Sequence, residues 1–234
     1  DNSFSSETDI PSWVCIAEDT NNNGNLEIPE GLIELNSSML SACASSVKNI
    51  TIPSSVSDID ASTFDKMTSL ISFKVDSKNT TFKAEDGVLY NKDNTILVRY
   101  PPAKTGDNYT IKEGILKIQT HALLGTQNLK KLVLPTTLAT MEEGAFTNSS
   151  VTSLTIPEGT ISFTSTQGKE FSEKRAFYIF EKDFKNDTLD IVLGIDLSSS
   201  NLDEETRKRF SLQATENKTN FSVGKSTNDY PVKT

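Results

Sequence analysis

The sequence predicts a repeat solenoid of the α/β type, in which short parallel strands alternate with turns or short helices. The first observation behind this prediction is an apolar pattern shared by two segments, VKNITIPSSVSDIDASTF at 47–64 and LKKLVLPTTLATMEEGAF at 129–146. The second is the spacing, because the prolines of neighbouring copies lie 22 or 24 residues apart. A period of this size indicates structural units that stack side by side.

Within one copy, side-chain alternation predicts the strand. Ile50 and Ile52 point to one face and Thr51 points to the other, since successive residues of a strand alternate. Pro53 ends the strand because proline cannot donate to a neighbouring strand. The aliphatic residues that follow at spacing three, up to Phe64, predict tight turns or a short helix. No copy could bury its apolar face alone, so we expect the copies to share one continuous interior.

Four less complete copies keep the same register. They start at Leu26, Leu70, Tyr109 and Val151. In the copy at Tyr109, Lys112 replaces the proline. From Val75 to Ile111 the step is 36 residues, so this unit carries an insertion of about 13 residues.

This pattern resembles the BspA-like (Treponema-type) leucine-rich repeats of bacterial and some protozoal surface proteins. The best matches are residues 50–64 and 132–146, and the inserted segment 75–102 is similar to the β-hairpin variant of that family, marked by Asp86 and Gly87. The resemblance implies a leucine-rich repeat solenoid with a binding or adhesion surface rather than a reaction centre. Lys112 departs from the family pattern.

Three regions follow from the extent of the pattern. Residues 1–25 are expected to form an amino-terminal cap with a possible calcium loop, and residues 26–162 the repeat array with a β-hairpin insertion at about 76–108. Residues 163–234 are either a carboxy-terminal cap of α+β character or a separate small α+β module. A cap is favoured because an open stack would leave strand edges and apolar surface uncovered.

The carboxy-terminal region has its own local signals. AFYIF at 176–180 and LDIVLGIDL at 189–197 predict strands, and residues 201–212 predict a short helix with Asn201 as its N-cap. The polar end from 216 to 234 predicts a tail or an irregular strand.

Composition restricts the function classes. The net charge of −9 argues against a nucleic-acid partner, because phosphates require clustered Lys and Arg. No run of 18 apolar residues is present to span a membrane, and the polar start at 1–7 lacks an export signal, so we expect a mature or truncated chain. The prediction is an extracellular or cell-surface monomer whose partner is a host or bacterial surface protein or glycan.

N-glycosylation tripeptides are frequent, and we interpret them as solvated loops. They begin at Asn36, Asn49, Asn79, Asn108, Asn148, Asn186, Asn217 and Asn220.

The two cysteines, Cys15 and Cys43, lie near the amino terminus. They form either a disulfide that closes the exposed end of the stack or two small buried hydrophobic residues. A four-ligand zinc site is disfavoured because the chain has one histidine.

A calcium-loop pattern of the EF-hand type precedes the first repeat. Its spacing offers oxygen ligands at fixed intervals around Gly24. The candidate ligands for Ca²⁺ are Asp19, Asn21, Asn23, Asn25, Glu27 and Glu30. The alternative is that Glu30 belongs to the turn of the repeat itself, because Pro-Glu-Gly recurs at 157–159 without such a loop.

No catalytic residue is predicted. The single histidine, His121, lies at a variable repeat position, where a surface role is expected. Neither cysteine has a histidine nearby in sequence, and no glycine-rich phosphate loop is present.

The predicted binding surface is the outward row of the strands. It consists of Asn49, Thr51, Ser72, Lys74, Asn108, Thr110, Lys131, Val133, Ser153 and Thr155. Such a ladder could bind an extended protein segment or a glycan. The alternatives are a purely solvated sheet face, a structural spacer in a larger envelope protein, or a scaffold for an enzyme site in the carboxy-terminal region.

Overall fold

The computed structural model describes residues 24–142 and 144–156, together with the backbone of four later strands. The strands are β1 (Asn25–Glu27), β2 (Glu34–Leu35), β3 (Asn49–Ile52), β4 (Asp58–Ile59), β5 (Ser72–Val75), β6 (Phe82–Glu85), β7 (Val88–Asn91), β8 (Ile96–Arg99), β9 (Asn108–Thr110), β10 (Lys117–Ile118), β11 (Lys131–Val133), β12 (Thr140–Met141), β13 (Ser153–Ile156), β14 (Ala176–Phe177), β15 (Leu189–Leu193), β16 (Ser211–Thr215) and β17 (Lys218–Val223). The described residues contain strands and turns but no helix.

The predicted repeat solenoid is confirmed. Each unit lays its first strand parallel to that of a neighbour, as β1 pairs with β3, β3 with β5, β9 with β11 and β11 with β13. The apolar residues align as expected, since Ile52 lies opposite Val75 and Leu132 lies opposite both Tyr109 and Leu154.

Each of these units has a second short strand where the sequence pattern predicts turns or a short helix. These second strands also pair in parallel, β2 with β4 and β10 with both β8 and β12. Segments such as SSVSDIDA favour turns over a helix because Ser and Asp side chains compete for backbone hydrogen bonds. Ile59 is buried at the end of β4, so the aliphatic residues spaced three apart lie in turns and in a two-residue strand.

The interior consists of two clusters, so the expectation of one continuous core is wrong. Val88 and Tyr90 of β7 pack with the carboxy-terminal units, whereas Leu89 of the same strand packs with the amino-terminal units. In β8, Leu97 packs with the carboxy-terminal units and Val98 with the amino-terminal units. Because neighbouring residues of a strand point to opposite faces, β7 and β8 form a partition that is buried on both sides.

The inserted segment forms the antiparallel hairpin β6–β7, and β7 then pairs antiparallel with β8. Its turn is made by Asp86 and Gly87, which have φ values of 48° and 73°. Two successive residues with positive φ are typical of the tight hairpin turn that matches strand twist.

The strands of the carboxy-terminal region continue the two sheets of the array. β14 pairs with β12 and β15 with β13, both in parallel, and β17 and β16 follow in antiparallel order. The strands expected at 176–180 and 189–197 are therefore present in part. The helix expected at 201–212 is wrong at Ser211 and Leu212, which begin β16 because they pair with Ser222 and Phe221 of β17. Residues 201–210 lie outside the described residues.

Candidate functional site: the strand face

The strand face is the set of outward side chains on the first strand of each unit. All ten residues predicted for it are exposed or half-buried. The register sets them in rows, with Thr51 opposite Lys74 in the amino-terminal half, and Lys131 opposite both Asn108 and Ser153 in the carboxy-terminal half.

The face is interrupted between β5 and β9, whereas the sequence pattern predicts one ladder along all the strands. Over the described residues, β5 ends a three-stranded sheet and β9 ends a separate six-stranded sheet. The hairpin turn lies at this break, since the backbone N–H of Phe73 donates to the carbonyl of Gly87 at 2.9 Å. The insertion length predicts a hairpin, but it does not indicate where its turn packs.

An amide ladder orders the amino-terminal half of the face. Asn49 donates from Nδ2 to Asn25 Oδ1 at 2.8 Å, and Ser72 Oγ donates to Asn49 Oδ1 at 2.8 Å. Asn25 and Glu27 belong to this face through β1 and were missed as binding-face residues. The alternation of Asn25, Leu26 and Glu27 was the signal that could have identified them.

Lys112, the departure from the repeat pattern, connects the array to the hairpin. Its Nζ lies 4.6 Å from the centre of the Tyr90 ring and donates to Glu85 Oε2. The Tyr90 hydroxyl contacts the Tyr109 hydroxyl, and burial raises the pKa of both groups, so both are neutral at physiological pH. A proline at 112 could make neither the ion pair nor the cation–π contact.

The calcium-loop residues divide between described and undescribed parts of the chain. Asp19, Asn21 and Asn23 lie outside the described residues, and Asn25 and Glu27 lie in β1. An EF-hand loop continues into a helix, whereas this segment continues into a strand. In the described part of the chain, no three His, Cys, Asp or Glu side chains cluster in a metal-binding arrangement.

Glu30 has a role within the repeat. Its Oε1 accepts from Ser54 Oγ at 2.7 Å, and its Oε2 accepts from the backbone N–H of Ser54 at 3.2 Å. Glu113 makes the same contacts with Thr136, at 2.8 Å and 3.0 Å. Glu30 is therefore a turn residue of the repeat, as the alternative to the calcium loop predicts. Calcium binding stays a prediction.

Cys43 is buried, with 7% of its surface exposed, and is disulfide-bonded. Its expected partner, Cys15, lies outside the described residues, and this pairing stays a prediction.

His121, for which a surface role is predicted, is partly buried beside Asp65, with 29% of its side chain exposed. Its Nδ1 lies 3.0 Å from Asp65 Oδ2, and its carbonyl accepts from Arg99 Nη1. Arg99 is 2% exposed and also donates from Nη2 to the carbonyl of Phe64 at 3.4 Å. Arg99 thus bridges the turns of the units on either side of the hairpin unit.

A family model confirms the repeat assignment. The BspA type leucine rich repeat region, in six copies, matches residues 17–97 and 104–186, which is more than half of the chain. A search of curated proteins finds no match. Over the described residues, no helix is long and apolar enough to cross a membrane.

The first two of the following solved structures show the same fold. A leucine-rich repeat protein from Eubacterium ventriosum is 31% identical, with a TM-score of 0.51, over 58% of this chain and 36% of that chain. The pneumococcal vaccine antigen PcpA is 24% identical, with a TM-score of 0.50, over 58% of this chain and 40% of that chain. A leucine-rich cell surface protein from Faecalibacterium prausnitzii is 24% identical, with a TM-score of 0.46, over 58% of this chain and 48% of that chain. The chain therefore spans less than half the length of these proteins.

Proposed function

Because the chain belongs to the BspA-type leucine-rich repeat family, we propose that it is a non-enzymatic recognition module, exported or at the cell surface, that binds a partner protein through its strand face. The observation that carries the proposal is the amide ladder of Asn25, Asn49 and Ser72, whose side chains are held in place by one another. Groups fixed before binding lose little conformational entropy when a partner arrives.

The chemistry of the face favours a protein over a glycan. None of the ten strand-face residues is aromatic, and the rings that alternate with them on β5 and β9, Phe73 and Tyr109, pack against the interior. Sites for small ligands are lined mainly by apolar and aromatic groups. A row of amide, hydroxyl and lysine side chains suits the polar groups of an extended protein segment.

The test is binding of the purified chain to arrays of host and bacterial surface proteins and of glycans. For any captured partner, a variant combining Thr51→Val, Lys74→Gln and Lys131→Gln is expected to weaken binding at least tenfold. The matched control combines Lys66→Gln and Lys78→Gln, two exposed lysines away from the face, and should leave affinity within twofold.

Three outcomes contradict the proposal. Undiminished binding by the face variant would remove the strand face as the site. Failure to bind anything on either array would favour the spacer, and hydrolysis of an array component by residues 163–234 would favour the enzyme scaffold.

A further inference from the structure

The break in the strand face leaves one strand edge open. β9 is the last strand of its sheet on the side facing β5, and the hairpin strands β6 and β7 belong to the sheet on the other face of the solenoid. Over the described residues, β9 therefore pairs with β11 alone.

The register identifies which backbone groups point away from β11. Ile111 N–H donates to the carbonyl of Val133 at 3.0 Å, and the carbonyl of Asp107 accepts from Lys131 N–H at 2.8 Å. Alternation along β9 then directs the N–H and C=O groups of Asn108 and Thr110 toward the break. In the described part of the chain, none of these four groups has a hydrogen-bond partner, and both residues are exposed.

The hairpin turn closes the edge of β5 but not that of β9. It meets β5 through the backbone bond between Phe73 and Gly87, and a Cβ at Gly87 would lie 2.8 Å from Ser72 Cβ. On the side of β9, the hairpin is held by side-chain contacts. Lys104 Nζ donates to the carbonyl of Asp86 at 2.5 Å, and the Tyr90 hydroxyl contacts the Tyr109 hydroxyl.

In the hairpin turn and the segment that leads into β9, carboxylates are the more exposed charges. The Asp86 side chain is 82% exposed, whereas that of Lys104, its ion-pair partner, is 15% exposed. Asp107, directly before β9, is also exposed, and Lys112 is engaged by Glu85. A partner segment with Lys or Arg would therefore complement the opening.

We infer that the open edge of β9 receives an extended segment of the partner protein, carrying a Lys or Arg, as an added strand. The inference rests on the proposed recognition function and names its partner class. An unpaired strand edge supplies a row of backbone donors and acceptors, and adding a strand satisfies them.

The experiment selects peptides from a phage-displayed library of random 12-residue sequences on the full chain, and measures affinity by fluorescence polarisation. Selected peptides should be enriched in Lys and Arg and in β-forming residues. Thr110→Pro and Thr110→Val both remove the Thr110 hydroxyl, but only Thr110→Pro also removes the outward N–H, so Thr110→Pro should weaken binding at least tenfold more than Thr110→Val does. Asp86→Asn with Asp107→Asn should weaken binding of basic peptides severalfold.

A second measurement does not depend on how Thr110→Pro folds. A selected peptide is N-methylated at one backbone nitrogen at a time. The affinity should be lost when the methyl group is at every second position and kept when it is at the positions between, since alternate N–H groups of an added strand face β9. Insensitivity to N-methylation, no selected peptide, or full binding by a folded Thr110→Pro chain would each overturn the inference. Loss of partner binding by the Thr51, Lys74 and Lys131 variant would still uphold the proposed function, so the two failures are distinguishable.

Discussion

Asn79 is a fully buried polar residue that uses both ends of its side-chain amide. Its Nδ2 donates to the carbonyls of Pro53 and Val56, both at 2.8 Å, and its Oδ1 accepts from the N–H groups of Thr81 and Phe82. These bonds join the start of the hairpin to the preceding unit. The interpretation of its glycosylation tripeptide as a solvated loop is therefore wrong, because the amide is inaccessible in the fold.

Replacing Asn79 should destabilise the fold more than replacing an exposed polar residue. We expect Asn79→Ala to lower the free energy of unfolding by about 3 kcal/mol, since it removes the partner of two carbonyls, of the buried Phe82 N–H and of the half-buried Thr81 N–H. Urea unfolding followed by circular dichroism measures the loss. Asn128→Ala is the control, because that exposed amide bonds only surface carbonyls, and should change stability by about 0.5 kcal/mol or less. Equal effects would contradict the role of Asn79.

Glu85 provides a prediction for acid pH. Its hydrogen bond from Lys112, with a further one from Lys83, lowers its pKa to about 2. A carboxylate whose pKa is lower in the folded state contributes stability above its unfolded value of 4.5, and that contribution is lost as the pH falls toward 2. Because the side chain is 42% exposed, we expect the contribution to be about 1 kcal/mol or less.

The measurement is urea unfolding at pH 5 and at pH 2.5. Glu85→Gln should be less stable than the parent chain at pH 5 and should approach it at pH 2.5. A constant difference between the two chains at both pH values would show that the carboxylate charge contributes nothing.

Glu30 and Glu113 form a matched pair for testing calcium. Both carboxylates accept from the residue one repeat ahead, but only Glu30 belongs to the candidate calcium loop. As repeat-turn residues, Glu30→Gln and Glu113→Gln should each lower the melting temperature slightly, with the same loss in millimolar calcium and in chelator. If the loop binds calcium, the parent chain would melt higher in calcium, and Glu30→Gln alone would abolish that increase.

At the scale of the element, the hairpin unit has a two-residue turn at 102–103, whereas the units on either side have turns at 61–66 and 120–125 after their second strands. Arg99, at the end of β8, donates to carbonyls of the turns on both sides. Burial lowers the pKa of Arg99 to about 10, with Asp65 opposing the shift, so the group is a cation at neutral pH. Burial raises the pKa of Asp65, against the attraction of His121 and Arg99. The cluster therefore depends on mutual neutralisation.

Removing the cation should destabilise the joint between the two halves. We expect Arg99→Met to lower the free energy of unfolding by about 3 kcal/mol, because two carbonyls would lose their donor and the partly buried Asp65 would lose the attraction of the Arg99 cation. Adding Asp65→Asn to Arg99→Met should recover part of this loss. Urea unfolding of the two single variants and the double variant gives the coupling, and simple additivity would contradict the cluster.

The strands of the hairpin unit were predictable, but their arrangement was not. Alternation and the Asp86–Gly87 turn identify a hairpin from sequence alone. The runs at β7 and β8, which include Val88, Leu89 and Tyr90, are apolar on both faces. That pattern fits any doubly buried strand, and it does not say which sheet the strand joins. The outward residues of the face were predicted for the same local reason, while the break and the Arg99 bridge depend on contacts distant in sequence.

At the scale of the whole molecule, the two apolar clusters divide the array. Leu132 belongs to the carboxy-terminal cluster and Ile50 to the amino-terminal one. In repeat proteins, stability is close to a sum of unit and neighbour contributions, so damage remains local.

Amide hydrogen exchange tests this division. Leu132→Ala should accelerate exchange in β9, β11 and β13 more than in β1 and β3, and Ile50→Ala should show the reverse. We expect each substitution to cost about 2 to 5 kcal/mol in its own cluster. Uniform acceleration across all strands would show that the partition does not separate the two halves.

The partition also bears on how such a chain can change its length. Since β7 presents one apolar surface to each neighbouring cluster, a repeat can be gained or deleted in one half without repacking the other. Gene duplication or loss could therefore extend or shorten either arm, provided that the hairpin, Arg99 and the contacts of Lys112 are retained.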